Sequence, residues 1–80
     1  MLDELKTARK IVGVKQLSKA LRRGEIAAVF LAQNADPMMT DSVRELAESL
    51  DVPVWWIPTM QELGTACRIS VGAAAAGILK

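Results

Sequence analysis

A chain of 80 residues is too short to divide its core, and 51% apolar content with 24% charged residues suits one packed fold over residues 1–80. The absence of histidine removes the commonest general base and metal ligand, and a lone cysteine, Cys67, excludes an internal disulfide and an all-cysteine zinc cage. The net charge of +1 conceals an asymmetry: Lys6, Arg9, Lys10, Lys15, Lys19, Arg22 and Arg23 form an acid-free stretch of seven cations, leaving three cations against nine acids elsewhere. Such a distribution points to a polyanion held at one place by an otherwise acidic body, the plainer alternative being a solvated helix face.

Residues 3–9, with Leu2, Leu5 and Ala8 at helical spacing, read as a short helix ending before the β-branched pair Ile11 and Val12. Gly13 breaks the strand that this pair begins. From Lys15 to Arg23, Leu17, Ala20 and Leu21 share one helical face while Lys15, Lys19 and Arg22 share another, and Gly24 is suited to close the helix. Ala27 to Ala32 is a continuous apolar run of strand length, as expected for a strand covered on both faces. Asp36 can cap a helix that starts at Pro37 and continues through Met39, Val43, Leu46, Ala47 and Leu50. After Val52-Pro53, Val54 to Ile57 reads as a strand in which Trp55 and Trp56 point to opposite faces, so both faces should offer apolar cover. Thr59-Met60-Gln61-Glu62 has capping-box form and predicts a helix from Met60 to about Cys67 with Leu63 and Ala66 inward. A loop at residues 68–71 follows. Gly72 to Leu79 is ambiguous, since its four alanines favour helix whereas Ile78-Leu79 suits a last strand. Alternation of strands and helices implies an α/β domain with helices on both sides of the sheet.

Asp3 and Glu4 spoil a secretory leader, and the longest uncharged run, Ile69 to Leu79, is far shorter than the roughly 20 residues that span a bilayer. The expectation is a cytoplasmic protein without membrane contact, in which Cys67 is a small buried residue. No phosphate-binding glycine motif, nucleophile elbow or metal-ligand spacing is present, and the acids Asp41, Glu45, Glu48 and Asp51 read as a solvated helix face. No enzymatic activity, metal or cofactor is expected. The segment from Gly13 to Arg23 is different: a strand, a glycine and a free helix N-terminus favour an anion. Lys15, Gln16 and Lys19 can address base edges, and Arg22 and Arg23 can hold phosphates.

Three stretches together resemble the kink-turn-binding large-subunit ribosomal proteins of archaea and eukaryotes, the L-seven-Ae family, and their small bacterial relatives. They are Val12-Gly13-Val14-Lys15-Gln16-Leu17-Ser18-Lys19-Ala20-Leu21, similar to a G-x-N-E-x-x-K segment, then Ala35-Asp36-Pro37, and then Leu63 to Ala74. The resemblance implies a three-layer α/β/α sandwich with a mixed four-stranded sheet, its last strand near Ala75 to Leu79. It also implies binding of structured RNA containing a kink-turn, a duplex bent by a three-nucleotide bulge beside sheared G·A pairs, with the ribosome as one host. By position, Lys19 matches the lysine that contacts guanine. Lys15 and Gln16 occupy the Asn-Glu positions that read the G·A pairs, and Gly13 and Val14 precede them where the backbone nears the RNA. Ile69, Ser70 and Val71 match the loop beneath the extruded nucleotides.

Departures from the pattern bear on the chemistry. Lys15 and Gln16 exchange a carboxylate for positive charge and a neutral amide. Ser70 stands where glutamate is frequent. Arg68 stands where glycine is frequent, which predicts either an altered loop backbone, if that glycine used positive φ, or an added phosphate contact. Ile69 and Val71 could equally be core residues, and the tryptophans read as core or sheet-face packing, the lesser alternative being that one is exposed for contact with a partner. A protein-interaction module on the same fold is the competing function. A monomer is the default state.

Overall fold

The computed structural model describes residues 9–80, so the helix expected over residues 3–9 lies outside the described residues except for its final position. Four strands form one sheet: β1 (Lys10–Val12), β2 (Ile26–Ala32), β3 (Val54–Ile57) and β4 (Ala75–Leu79). Their order is β1-β4-β2-β3, with β4 antiparallel to both neighbours and β2 parallel to β3, so the sheet is mixed. A parallel pair needs a crossover element, and α2 (Pro37–Ser49) supplies it between β2 and β3. The remaining helices among the described residues are α1 (Val14–Arg22) and α3 (Met60–Ala66).

The continuous apolar run of β2 serves two cores. Val29 and Leu31 meet Leu17, Ala20 and Leu21 of α1 and Val43 and Ala47 of α2 on one face. Phe30 and Ala32 meet Leu63, Ala66 and Cys67 on the other. All four strand residues are fully buried, as a strand covered on both faces requires. The result is a three-layer α/β/α arrangement.

The alanine-rich tail becomes strand β4. Its place between β1 and β2 offers hydrogen-bond partners on both edges, and these outweigh the helix propensity of alanine. Small residues are required there. A Cβ at Gly77 would press on Leu17 Cδ1, so the missing side chain admits α1 close to the sheet.

The three described helices end alike. At α1, the Glu25 N–H donates to the Ala20 carbonyl and the Gly24 N–H to Leu21, at 3.1 and 3.0 Å. The same pair of bonds joins Val52 to Ala47 and Asp51 to Glu48 after α2, and Ile69 to Gly64 and Arg68 to Thr65 after α3. This Schellman geometry demands a left-handed residue after the cap, here Gly24 (φ 72), Asp51 (φ 58) and Arg68 (φ 62). Only the first is a glycine.

Three local expectations are corrected. Trp55 and Trp56 do face opposite sides, but each is 42% exposed, because β3 is an edge strand over which the helices reach only partly. Met39 and Leu50 are exposed rather than inward, and Thr40 takes the buried position on α2. The capping box is half made: the Thr59 side chain accepts from the Glu62 N–H at 3.0 Å, with no return bond from the Glu62 carboxylate among the described residues.

Candidate nucleic-acid interface

The sheet topology gathers the candidate residues at one end. β1, β2 and β3 all finish there and β4 starts there, so the β1–α1, β2–α2, β3–α3 and α3–β4 connections are neighbours. Backbone bonds tie them together: Gly13 N–H to the Ala75 carbonyl at 2.9 Å, Ala32 N–H to Ala74 at 2.9 Å and Gln33 N–H to Ile57 at 2.8 Å.

Gly13, at φ 106 and ψ 142, makes the sharp entry into α1 in a region that side chains rarely adopt. It provides no side-chain cap, and Leu17 N–H is the first to bond back, to the Gly13 carbonyl at 3.0 Å. The N–H groups of Val14, Lys15 and Gln16 therefore remain free of protein acceptors among the described residues. Leu17, Ala20 and Leu21 hold the helix to the sheet, leaving Lys15, Gln16, Lys19, Arg22 and Arg23 exposed. Among the described residues none of these cations pairs with a carboxylate. Lys15 and Lys19 lie next to the gathered loops. Arg22, three residues past Lys19, continues the same helical face about 5 Å further along the axis. The basic segment as a whole is nonetheless divided between two sheet faces. Lys10 projects to the other sheet face, where its charge acts on Cys67.

Residues 68–71 are all exposed, Ile69 by 36% and Val71 by 68%, which removes the alternative that these two belong to the core. Arg68 adopts a left-handed backbone, φ 62, despite its side chain, a conformation that glycine takes without strain. Behind the loop, Gly64 lies so close that a Cβ would overlap the Val71 carbonyl oxygen. With Asn34, Met60 and Thr65, the loop residues Ile69, Ser70 and Val71 line an open concavity of about 400 Å³. Asn34 and Met60 were not singled out from sequence. The signal available was the position of Asn34 immediately before the Ala35-Asp36-Pro37 stretch. Met38, 83% exposed, adds apolar surface at this end of the sheet.

The acids on α2 act differently. Arg44 sits among them, 3.0 Å from Glu48, 3.8 Å from Glu45 and 3.9 Å from Asp41, forming an exposed ion-pair cluster. Cys67 is buried, and burial pushes its thiol above its ordinary pKa, with Lys10 opposing the shift, so it is neutral at physiological pH. No group of metal-ligating side chains occurs among the described residues. No described helix is long and apolar enough to cross a membrane.

Comparison with known proteins agrees with this architecture. A solved Giardia lamblia 15.5 kDa RNA-binding protein superposes with a TM-score of 0.90 at 29% identity, covering 99% of this chain and 70% of that one. An RNA-binding protein of Geobacillus sp. (strain WCH70) is 42% identical over 76 residues, 95% of this chain and 93% of its own. The large ribosomal subunit protein eL8 of Methanobrevibacter smithii is 32% identical over 82 positions, 96% of this chain and 67% of its own. The profile of the ribosomal protein L7Ae/L30e/S12e/Gadd45 family matches residues 2–80. With its mixed sheet, its open α1 N-terminus and a match over nearly its whole length, this chain belongs to that family.

Proposed function

We propose that this chain is a non-catalytic RNA-binding protein that recognises and stabilises kink-turns in structured RNA, including ribosomal RNA, as a cytoplasmic monomer. The observation that carries the reading is the convergence, at one end of the sheet, of an uncapped basic helix and an exposed apolar loop. A kink-turn presents the matching chemistry: a groove opened by the bend, which A-form RNA otherwise closes to side chains, and unstacked bulge nucleotides. Relatives named as RNA-binding proteins support the same assignment.

In this arrangement α1 enters the opened groove with its N-terminus leading. Gly13 and Val14 bring bare backbone to the RNA, Lys19 donates to guanine O6 and N7, and Lys15 and Gln16 address the sheared G·A pairs. Ile69, Ser70 and Val71 pack beneath the extruded nucleotides, while Arg22 and Arg68 hold phosphates. Band shifts comparing a kink-turn duplex with the same duplex carrying Watson-Crick pairs in place of the G·A pairs test the proposal. Preference for the kink-turn is expected, and equal binding of the two refutes it.

A further inference from the structure

We propose that Asn34 is a positioning residue that holds the Arg68–Gly72 loop in its binding shape through a relay of bonds across the start of α3. The consequence for RNA rests on the function proposed above; the relay itself does not. The Asn34 Oδ1 accepts the Met60 N–H at 2.7 Å, joining residues 26 positions apart. Met60 is the first residue of α3, and its N–H is one that the helix cannot satisfy internally. The Thr59 cap takes the Glu62 N–H instead, so the two side chains serve different donors and neither replaces the other.

Met60 passes the constraint on. Its carbonyl accepts the Ala73 N–H at 3.0 Å, just beyond the loop, and Gly72 lies so near that a Cβ would stand 3.1 Å from Met60 Cβ. The other end of the loop is fixed by the left-handed turn at Arg68. Asn34 in turn stands on a firm base, because Gln33 N–H bonds to Ile57 and the adjacent Ala35 is buried. The loop is therefore anchored at one end by the helix it follows and at the other, through Met60, by the β2–α2 turn. A loop already ordered in the free protein avoids the entropy cost of ordering it on binding, which matters for side chains as exposed as Ile69 and Val71.

The chemistry separates this role from a general packing role. The relay uses a side-chain oxygen, which Asn34→Asp retains and Asn34→Ala removes. Amide hydrogen exchange in the free protein is the first measurement. In Asn34→Ala the Met60 and Ala73 amides should exchange about tenfold faster, as for a lost side-chain hydrogen bond, with Leu31 in the central strand unchanged. Asn34→Asp should restore wild-type rates. The second measurement is affinity for the kink-turn duplex, which Asn34→Ala should weaken about fivefold and Asn34→Asp should keep within about twofold. Wild-type exchange in Asn34→Ala, or no restoration by Asn34→Asp, overturns the relay. Faster exchange with unchanged kink-turn affinity overturns the positioning role. If the wild-type chain shows no preference for the kink-turn, the function proposed above falls, and the exchange rates still decide the relay.

Discussion

Replacing Arg68 by glycine acts on stability and on RNA in opposite directions. Arg68 holds φ 62 because the Schellman turn after α3 requires a left-handed residue, and its N–H donates to Thr65 at 3.0 Å in that turn. A side chain in this region costs about 1–2 kcal/mol, and glycine gives back about 0.5–1 kcal/mol as extra freedom of the unfolded chain. Arg68→Gly should therefore stabilise the fold by about 0.5–1 kcal/mol. With an unfolding entropy of about 2.1 cal/mol/K per residue, a chain of this length gains about 3–6 °C in Tm. Asp51→Gly, at φ 58, is the internal control and should gain less, since aspartate tolerates this conformation better than arginine. Scanning calorimetry or thermal melts followed by circular dichroism read both variants. An unchanged or lowered Tm for Arg68→Gly refutes the strain argument. In RNA titrations the same variant should lose one phosphate contact, lowering the slope of log K against log salt by about 0.7–0.9. A variant that melts higher and binds RNA less tightly would identify Arg68 as a residue kept at the expense of stability.

Lys19→Ala should cost about 1–3 kcal/mol in kink-turn binding and relax discrimination against the Watson-Crick control, whereas Arg22→Ala should weaken both RNAs similarly and reduce the salt slope by about one unit. Gly64→Ala pushes a methyl group against the Val71 carbonyl and should destabilise the fold by about 1–3 kcal/mol, with chemical-shift changes concentrated at residues 68–72; changes spread evenly over the sheet count against that contact. Cys67 should resist thiol reagents in the native state and react on denaturation. Because burial raises its folded pKa, the unfolded chain loses the thiol proton first as pH rises, so stability should decline above the ordinary thiol pKa; an equal decline in Cys67→Ala removes the thiol as the cause.

The helix over α1, the two-faced strand β2 and the Asp36–Pro37 start of α2 were legible because each rests on a local pattern whose tertiary setting agrees with it. Asp36 Oδ1 does accept the Met38 N–H, at 2.9 Å. The tail was not decided by its own residues, since four alanines carry no preference strong enough to resist a vacant place between two strands. The half-exposed tryptophans escaped prediction for a related reason: alternation tells which face a side chain takes, and only strand order tells whether that face is covered. At the candidate site, the basic face of α1 was visible as periodicity. The left-handed Arg68 and the Asn34 bond were not, because one contradicts the residue preference for its conformation and the other joins positions remote in sequence.

Strand order also constrains when a binding surface can exist. β4 is the last strand in the chain but lies inside the sheet, between β1 and β2. Until it is inserted, β1 has no partner among the described strands, Gly13 has no Ala75 carbonyl to receive its N–H, and the 68–74 segment has nothing to end on. During synthesis the N-terminal α1 segment therefore emerges well before the sheet that orients it, and such non-local pairing is slow to form. The finished surface is a property of the completed fold alone. An RNA that binds it favours the native state over every partly folded one, raising apparent stability with RNA concentration and making the ligand a partner in the chain's own maturation.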